Sequence, residues 1–148
     1  MEMFELLAQS GVVANLKASS KKQALQELSQ QAAALTGLHE RVIFDVLLQR
    51  EKLGTTGIGR GIAIPHGKMQ ELERLHGIFA RLPKPIEFDA IDEQPVDLIF
   101  LLLAPESAGA DHLKALARIS RLLRDDNVCA KLRGADDPEA LFALLTVP

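Results

Sequence analysis

The segment VDLIFLLLAP, residues 96–105, constrains the fold more than any other part of the chain. It is continuously apolar instead of alternating, which is the pattern of a strand covered on both faces. Such a strand needs elements packed above and below it, so the chain is expected to form a layered α/β domain. Its longest apolar part, LIFLLLAP at 98–105, is far short of the ~20 residues that span a bilayer. The N-terminus, MEMFELLAQS, is acidic and lacks the basic n-region of a signal peptide. A soluble, cytoplasmic protein without membrane insertion is therefore expected.

The flanking pattern agrees with layers. VVANL at 12–16 has strand character. Residues 19–37 form an amphipathic pattern: Ser20 and Gln23 make a capping box, Ala24, Leu25, Leu28, Ala32 and Leu35 share a face, and Gly37 closes the helix. A second helix is expected over 39–54, with Val42, Val46, Leu47 and Arg50 near one another and Gly54 at its end. GIFARL at 77–82 is strand-like, and KPIEFDAIDEQP reads as a turn-rich connection with a short strand inside. After the apolar strand, Asp111 is expected to cap the helix HLKALARISRLLRD. A short helix, DNVCAKLRG, follows, and Asp137 with Pro138 opens a last one as N-cap and N1. No linker, repeat or low-complexity block divides the 148 residues, so one domain over 1–148 is expected.

Composition removes several functions. The net charge of −3 and pI of about 5.8 lack the basic signature of a nucleic-acid binder. Aromatic residues are only 4% of the chain, with no Trp or Tyr, which argues against base-stacking platforms and sugar-stacking pockets. Cys129 is alone, so no internal disulfide can form, in keeping with a reducing compartment.

Chemistry concentrates in TTGIGRGIAIPHGK, residues 55–68, where a strand-like IAI runs into Pro65, His66 and Gly67. Known signatures do not fit this stretch. GIAIPHGK has five residues between its glycines where a P-loop has four, and Met69 stands where a Ser or Thr would bind magnesium. GIGRG is not a dinucleotide fingerprint, HERVI lacks the second histidine of a zinc-protease helix, and no Cys and His spacing suits zinc. No metal or cofactor is expected. At His66, Pro65 restricts the strand end, Gly67 clears space beside the imidazole, and Lys68 adds positive charge. The alternative is a turn histidine in a sharp strand exit. His112 lies in the first turn of the helix after the apolar strand, where free N–H groups suit an anion; it is otherwise a solvated helix-start residue. Arg50, near a helix end, is a third candidate or else a surface residue complementing the helix dipole. His39 reads as a helix-start surface residue and His76 as a polar residue before a strand. Imidazoles, an arginine, loop amides and a helix N-terminus together favour phosphate, and neutral imidazole is a competent phosphoryl acceptor.

REKLGTTGIGRGIAIPHGK, FDAIDEQPVDLIFLLLAPE and DHLKALARISRLL closely resemble the EIIA domains of the bacterial phosphotransferase system. The subgroup is the mannitol/fructose type, with the nitrogen-regulatory EIIA proteins nearest. The resemblance spans nearly the whole chain, and the GIAIPHGK block is highly specific. It implies a three-layer α/β/α sandwich with a central mixed sheet flanked by helices. It also implies that His66 accepts a phosphoryl group from an HPr-like phosphocarrier protein, with His112 and Arg50 as the other active-site residues. Arg60 lies where relatives vary, often with Asn, and takes no role. On this reading the glycines wrap a loop around the phosphate, which sits on Nε2 of His66. Partners are expected to pack against Ile64, Pro65 and Gly67.

Two functions follow from the resemblance. The first is a regulatory phosphocarrier whose phosphorylation state controls target proteins. It is suggested by a chain that ends at Pro148, shortly after the last helix, with no EIIB or membrane EIIC segment expected. The second is a free-standing sugar-specific EIIA that passes phosphate to a separate EIIB. An interaction module that has lost phosphotransfer is disfavoured by the intact His66, His112 and Arg50.

Overall fold

The segment 96–105 forms the strand β6 (Val96–Pro105), whose side chains from Leu98 onward are all buried. The computed structural model describes residues 1–147; Pro148, where the sequence ends, lies outside the described residues. Alternate side chains of β6 enter two separate cores. Ile99, Leu101 and Leu103 pack with residues of helices α2 (Lys21–Thr36) and α3 (Glu40–Lys52), including Leu25, Leu28, Ile43 and Leu47. Leu98, Phe100 and Leu102 pack with Ile119 and Leu123 of α4 (Ala110–Leu123), Leu132 of α5 (Asp126–Gly134), and Leu141 and Leu145 of α6 (Pro138–Thr146). Two cores on opposite faces of one sheet make the three-layer α/β/α sandwich.

The sheet is mixed and has six strands in the order β1-β5-β6-β3-β2, with β4 also pairing to β6. The edge strand β1 (Leu7–Val13) runs parallel to β5 (His76–Ile86), which is antiparallel to β6. Along the other edge of β6 lie first β3 (Ile62–Ala63) and then β4 (His66–Met69), both parallel to it. The short β2 (Gly57–Gly59) pairs antiparallel with β3.

Several local expectations hold. Ser20 caps α2 by accepting from the Gln23 amide, and Gly37 ends it in the left-handed region at φ 78°. Asp137 caps α6 with Pro138 behind it. Others need correction. Asp111 is no cap: Gly109 holds that position and Asp111 lies inside the first turn of α4. The first strand begins at Leu7, not Val12, and follows a one-turn helix α1 (Met3–Leu6). β5 runs on to Ile86 through Pro83 and Pro85, with its register to β6 shifting after Arg81; prolines are tolerated where the ladder is interrupted. On α3 the core face is Ile43, Phe44, Leu47 and Glu51, while Val42 is exposed.

Candidate functional site

β3 and β4 are one course of chain beside β6, broken at Ile64 and Pro65. Ile62 pairs with Leu98 and His66 with Leu102, and between them the Pro65 carbonyl still accepts from the Leu102 amide at 3.0 Å. Proline has no N–H to give a ladder, so the strand stops and restarts. His66 is therefore the first residue of a strand and not the exit residue of one. It shares a sheet face with Ile62 and Ile64, the face that packs on α4.

Three elements converge there. Gly67 points to the opposite face, where a Cβ would sit 2.5 Å from Cγ1 of Val46. Its missing side chain lets α3 approach β4 closely and sets Arg50, one turn beyond Val46, beside the imidazole; this space is filled by α3 and not left for a ligand. Arg50 Nε donates to Nε2 of His66 at 3.3 Å, and Arg50 Nη1 donates to the Gly54 carbonyl at 2.9 Å. His112, the third residue of α4, brings its ring to 5.7 Å from that of His66, centroid to centroid, tilted by 49°.

The protonation pattern follows from the partners. Nδ1 of His66 lies 2.9 Å from the Ile64 carbonyl, which can only accept, so Nδ1 carries the proton and Nε2 keeps its lone pair. Burial pulls the His66 pKa below its ordinary value; the Ile64 carbonyl opposes that shift, Arg50 adds to it, and Glu51 opposes it. The pKa of His112, only 8% exposed, is likewise lowered, by burial first and then by His66 and Lys68. Its Nε2 is buried without a hydrogen-bond partner among the described residues. The unprotonated Nε2 of His66, held only by the long Arg50 contact, and the Nε2 of His112 are the groups here with bonding capacity to spare.

The remaining expectations divide. His39 is the N-cap of α3, its Nδ1 accepting from the Arg41 amide at 3.1 Å. His76 opens β5 opposite Leu103, on the far side of β6 from His66. The glycine loop does not wrap this site. Gly59, Arg60 and Gly61 all lie at positive φ, 104°, 57° and 81°, and turn toward α5. There Arg133 donates to the Arg60 carbonyl at 2.7 Å and pairs with Asp97 at 2.9 Å, and the Arg60 amide donates to Asp92 at 2.9 Å. A Cβ on Gly61 would lie 2.6 Å from Nη2 of Arg133. These glycines close a turn over an ion pair. Arg60, assigned no role above, ties that turn down through Asp126 and the Arg124 carbonyl.

Ile64, Pro65 and Gly67 are buried, so they form no contact surface. The exposed apolar residues next to the site are Leu53, the C-cap of α3, at 84% exposure, and Leu113, after His112, at 68%. Sequence reasoning also missed Glu51. Its carboxylate is buried, paired with Lys21 at 2.9 Å, and accepts from both the amide and the hydroxyl of Thr56. The signal was faint: a carboxylate on the core face of α3, within a sequence, REK, that looks like a solvated helix end. Among the described residues no cluster of three or more His, Cys, Asp or Glu could hold a metal ion, and no helix is long and apolar enough to cross a membrane.

Comparison with known proteins identifies the family. Residues 5–147 match the family model described as "Phosphoenolpyruvate-dependent sugar phosphotransferase system, EIIA 2". The chain is 60% identical over 148 residues to a "Nitrogen regulatory protein" of Bradyrhizobium diazoefficiens, covering 100% of this chain and 97% of that one. A "Nitrogen regulatory protein" of Klebsiella oxytoca is 43% identical over 147 residues, covering 99% and 91%. Among solved structures, the nitrogen regulatory protein IIA-Ntr from Neisseria meningitidis superposes with a TM-score of 0.91 at 36% identity, covering 96% of this chain and 97% of that one. Mannitol IIA from Escherichia coli shares the fold, with a TM-score of 0.78 at 20% identity over 93% and 97% of the two chains. With the match running nearly end to end, this chain belongs to the EIIA 2 family of the phosphoenolpyruvate-dependent sugar phosphotransferase system.

Proposed function

We propose that residues 1–148 act as one EIIA unit, a regulatory phosphocarrier in which His66 takes a phosphoryl group from an HPr-like carrier and its phosphorylation state controls target proteins. The reading rests on one observation above others: the Ile64 carbonyl holds the proton on Nδ1 and leaves the Nε2 lone pair of the imidazole to Arg50, with the ring of His112 5.7 Å away. In the transfer, the N–P bond on the carrier's phosphohistidine breaks as a bond forms between phosphorus and Nε2 of His66. The carrier's ring nitrogen leaves with the electron pair. Arg50 turns from the ring nitrogen to pair with phosphoryl oxygens, and His112 offers an N–H to another. Such catalysis is mainly positioning and neutralisation of charge.

The acquired phosphoryl group brings roughly −1.5 to −2 charges to a surface flanked by Leu53 and Leu113. A target packed over those side chains would have to bury an unpaired anion, which is costly enough to break a modest interface. A carrier supplying its own positive groups avoids that cost. Targets are thus read as preferring the unphosphorylated form, in the cytoplasm where the carrier chain works. Relatives called nitrogen regulatory protein cover the chain end to end, which favours this reading over a sugar-specific EIIA serving a separate EIIB.

The test is incubation with the phosphoenolpyruvate-driven carrier chain, followed by mass spectrometry of the peptide containing His66 and by phosphohistidine NMR. The expected product is one phosphoryl group on Nε2 of His66. A chain left unmodified by a fully phosphorylated carrier, or labelled on His112 or on Nδ1, sinks the proposal.

A further inference from the structure

Both contacts that orient the His66 ring hang from one short turn, residues 53–56. On the Nδ1 side, the ring bonds to the Ile64 carbonyl, and the Ile64 amide in turn donates to the Thr56 carbonyl at 2.9 Å. On the Nε2 side, Arg50 is held by the Gly54 carbonyl at 2.9 Å, and the Gly54 amide donates back to the Glu51 carbonyl at 3.1 Å. The turn is tied to the protein by Glu51. Its Oε1 accepts from the Thr56 amide at 3.0 Å, its Oε2 accepts from the Thr56 hydroxyl, and Lys21 neutralises it at 2.9 Å. Lys21 in turn, the first residue of α2, lies over the buried Phe88 ring, 4.8 Å from its centroid, which holds the cation against the core. A second tie, from the Thr55 hydroxyl to the Phe88 carbonyl at 3.2 Å, meets the same neighbour.

A buried carboxylate is an expensive way to fasten a loop, because its desolvation offsets much of the attraction to Lys21. What it supplies is geometric: a planar acceptor with two oxygens that takes both Thr56 donors at once and leaves the turn one position. We propose that Glu51 is a positioning residue for phosphoryl transfer, acting through Thr56 to hold Ile64 and Arg50 on the two nitrogens of His66. This rests on His66 as the acceptor, but the ring geometry is measurable without any transfer. Glu51 touches no reacting atom. Its effect passes through the two Thr56 bonds to the Ile64 carbonyl on one side and through Gly54 to Arg50 on the other.

The inference is tested on the full chain with nitrogen-15 NMR of the His66 ring and with the rate of phosphorylation by the phosphorylated carrier. The parent should show a single Nδ1–H tautomer. Glu51→Leu combined with Lys21→Met removes the carboxylate without stranding a cation. It should mix the two tautomers and slow transfer by roughly ten- to a hundredfold, as misplacing a reacting group does. Glu51→Gln keeps an acceptor for the Thr56 amide and should recover most of the parental ring spectrum and rate. Should the double variant fail to fold, Thr56→Val carries the test: it removes one of the two bonds to Glu51 and should shift the tautomer ratio in the same direction. A parental ring spectrum in the double variant or in Thr56→Val overturns the proposal, as does Glu51→Gln being as impaired as the double variant. If the parent itself takes up no phosphate, the phosphocarrier reading fails, and the ring spectra still decide the role of Glu51.

Discussion

The two ends of the stretch Gly57–Lys68 are built in opposite ways. At the glycine end, polar groups are saturated: the Arg60 amide, carbonyl and guanidinium all have partners, and Arg133 and Asp97 neutralise one another. At the histidine end, few bonds are made. The Arg50 contact to His66 is long at 3.3 Å, and His112 Nε2 has no partner among the described residues. Saturation means that a region has nothing left to bind, whereas buried polar groups without partners mark where something is to arrive. The glycines draw the eye in the sequence, yet they serve the fold, and the sparse end holds the proposed site.

The largest effect should separate the two ends outright. His66→Ala is expected to abolish phosphorylation by the carrier while retaining the parental melting curve. Arg133→Ala is expected to keep the transfer rate within about twofold while losing about 1–3 kcal/mol of stability in urea, the usual scale for a charged hydrogen bond removed from a partly buried site. An inactive Arg133→Ala at full stability would erase the distinction.

Next in size, Arg50→Ala should slow transfer on the order of 100-fold, the usual cost of losing one donor to developing charge. Its Tm should stay close to the parent's, because Arg50 makes no ion pair with any described residue. A parental rate would remove Arg50 from the site. His112 should sharpen the picture with a smaller effect. His112→Gln keeps a donor and is expected to outperform His112→Ala in single-turnover transfer; equal losses would mean that hydrogen bonding is not what His112 contributes.

Gly61→Ala probes the glycine end alone. At φ 81°, with a Cβ 2.6 Å from Arg133 and 2.8 Å from Asp97, it should cost roughly 1–3 kcal/mol in denaturant unfolding and leave phosphorylation unchanged. The smallest effect is on pH. His66, His76 and His112 all have pKa values pulled below 6.5 in the folded chain, chiefly by burial. Below 6.5 the unfolded state therefore binds more protons than the native state, so stability is complete above that pH and falls as pH drops toward the folded values. His66→Gln should flatten that slope in urea titrations across the window, and an unchanged slope would show that His66 contributes nothing to it. The same lowered pKa predicts that the parent accepts phosphate below pH 6.5 with its lone pair still free.

How much of this was legible before folding depends on how local each cause is. The apolar run at 96–105 announced a strand covered on both faces because burial there requires only that every side chain be apolar. Ser20, Gly37, Asp137 and Pro138 announced helix ends because capping acts within a few residues. The start of the first strand escaped notice because Ala8, Gln9 and Ser10 are exposed on an edge, where no burial shapes the sequence. His66, His112 and Arg50 stood out through residue type and a resemblance, but their convergence could not be read from spacing.

By itself, then, the sequence determined the layered fold and the family and singled out His66 as the proposed acceptor, since each follows from local pattern or from a motif written in consecutive residues. Only the tertiary structure decided which nitrogen of His66 is free, that Gly67 makes room for Val46, that Gly59 and Gly61 close a turn over Arg133, and that Glu51 is a buried anchor. Each of these is a contact between residues distant in the chain or on different elements. Such contacts are set by how α3, β4, α4 and α5 pack on one sheet, which no local propensity specifies.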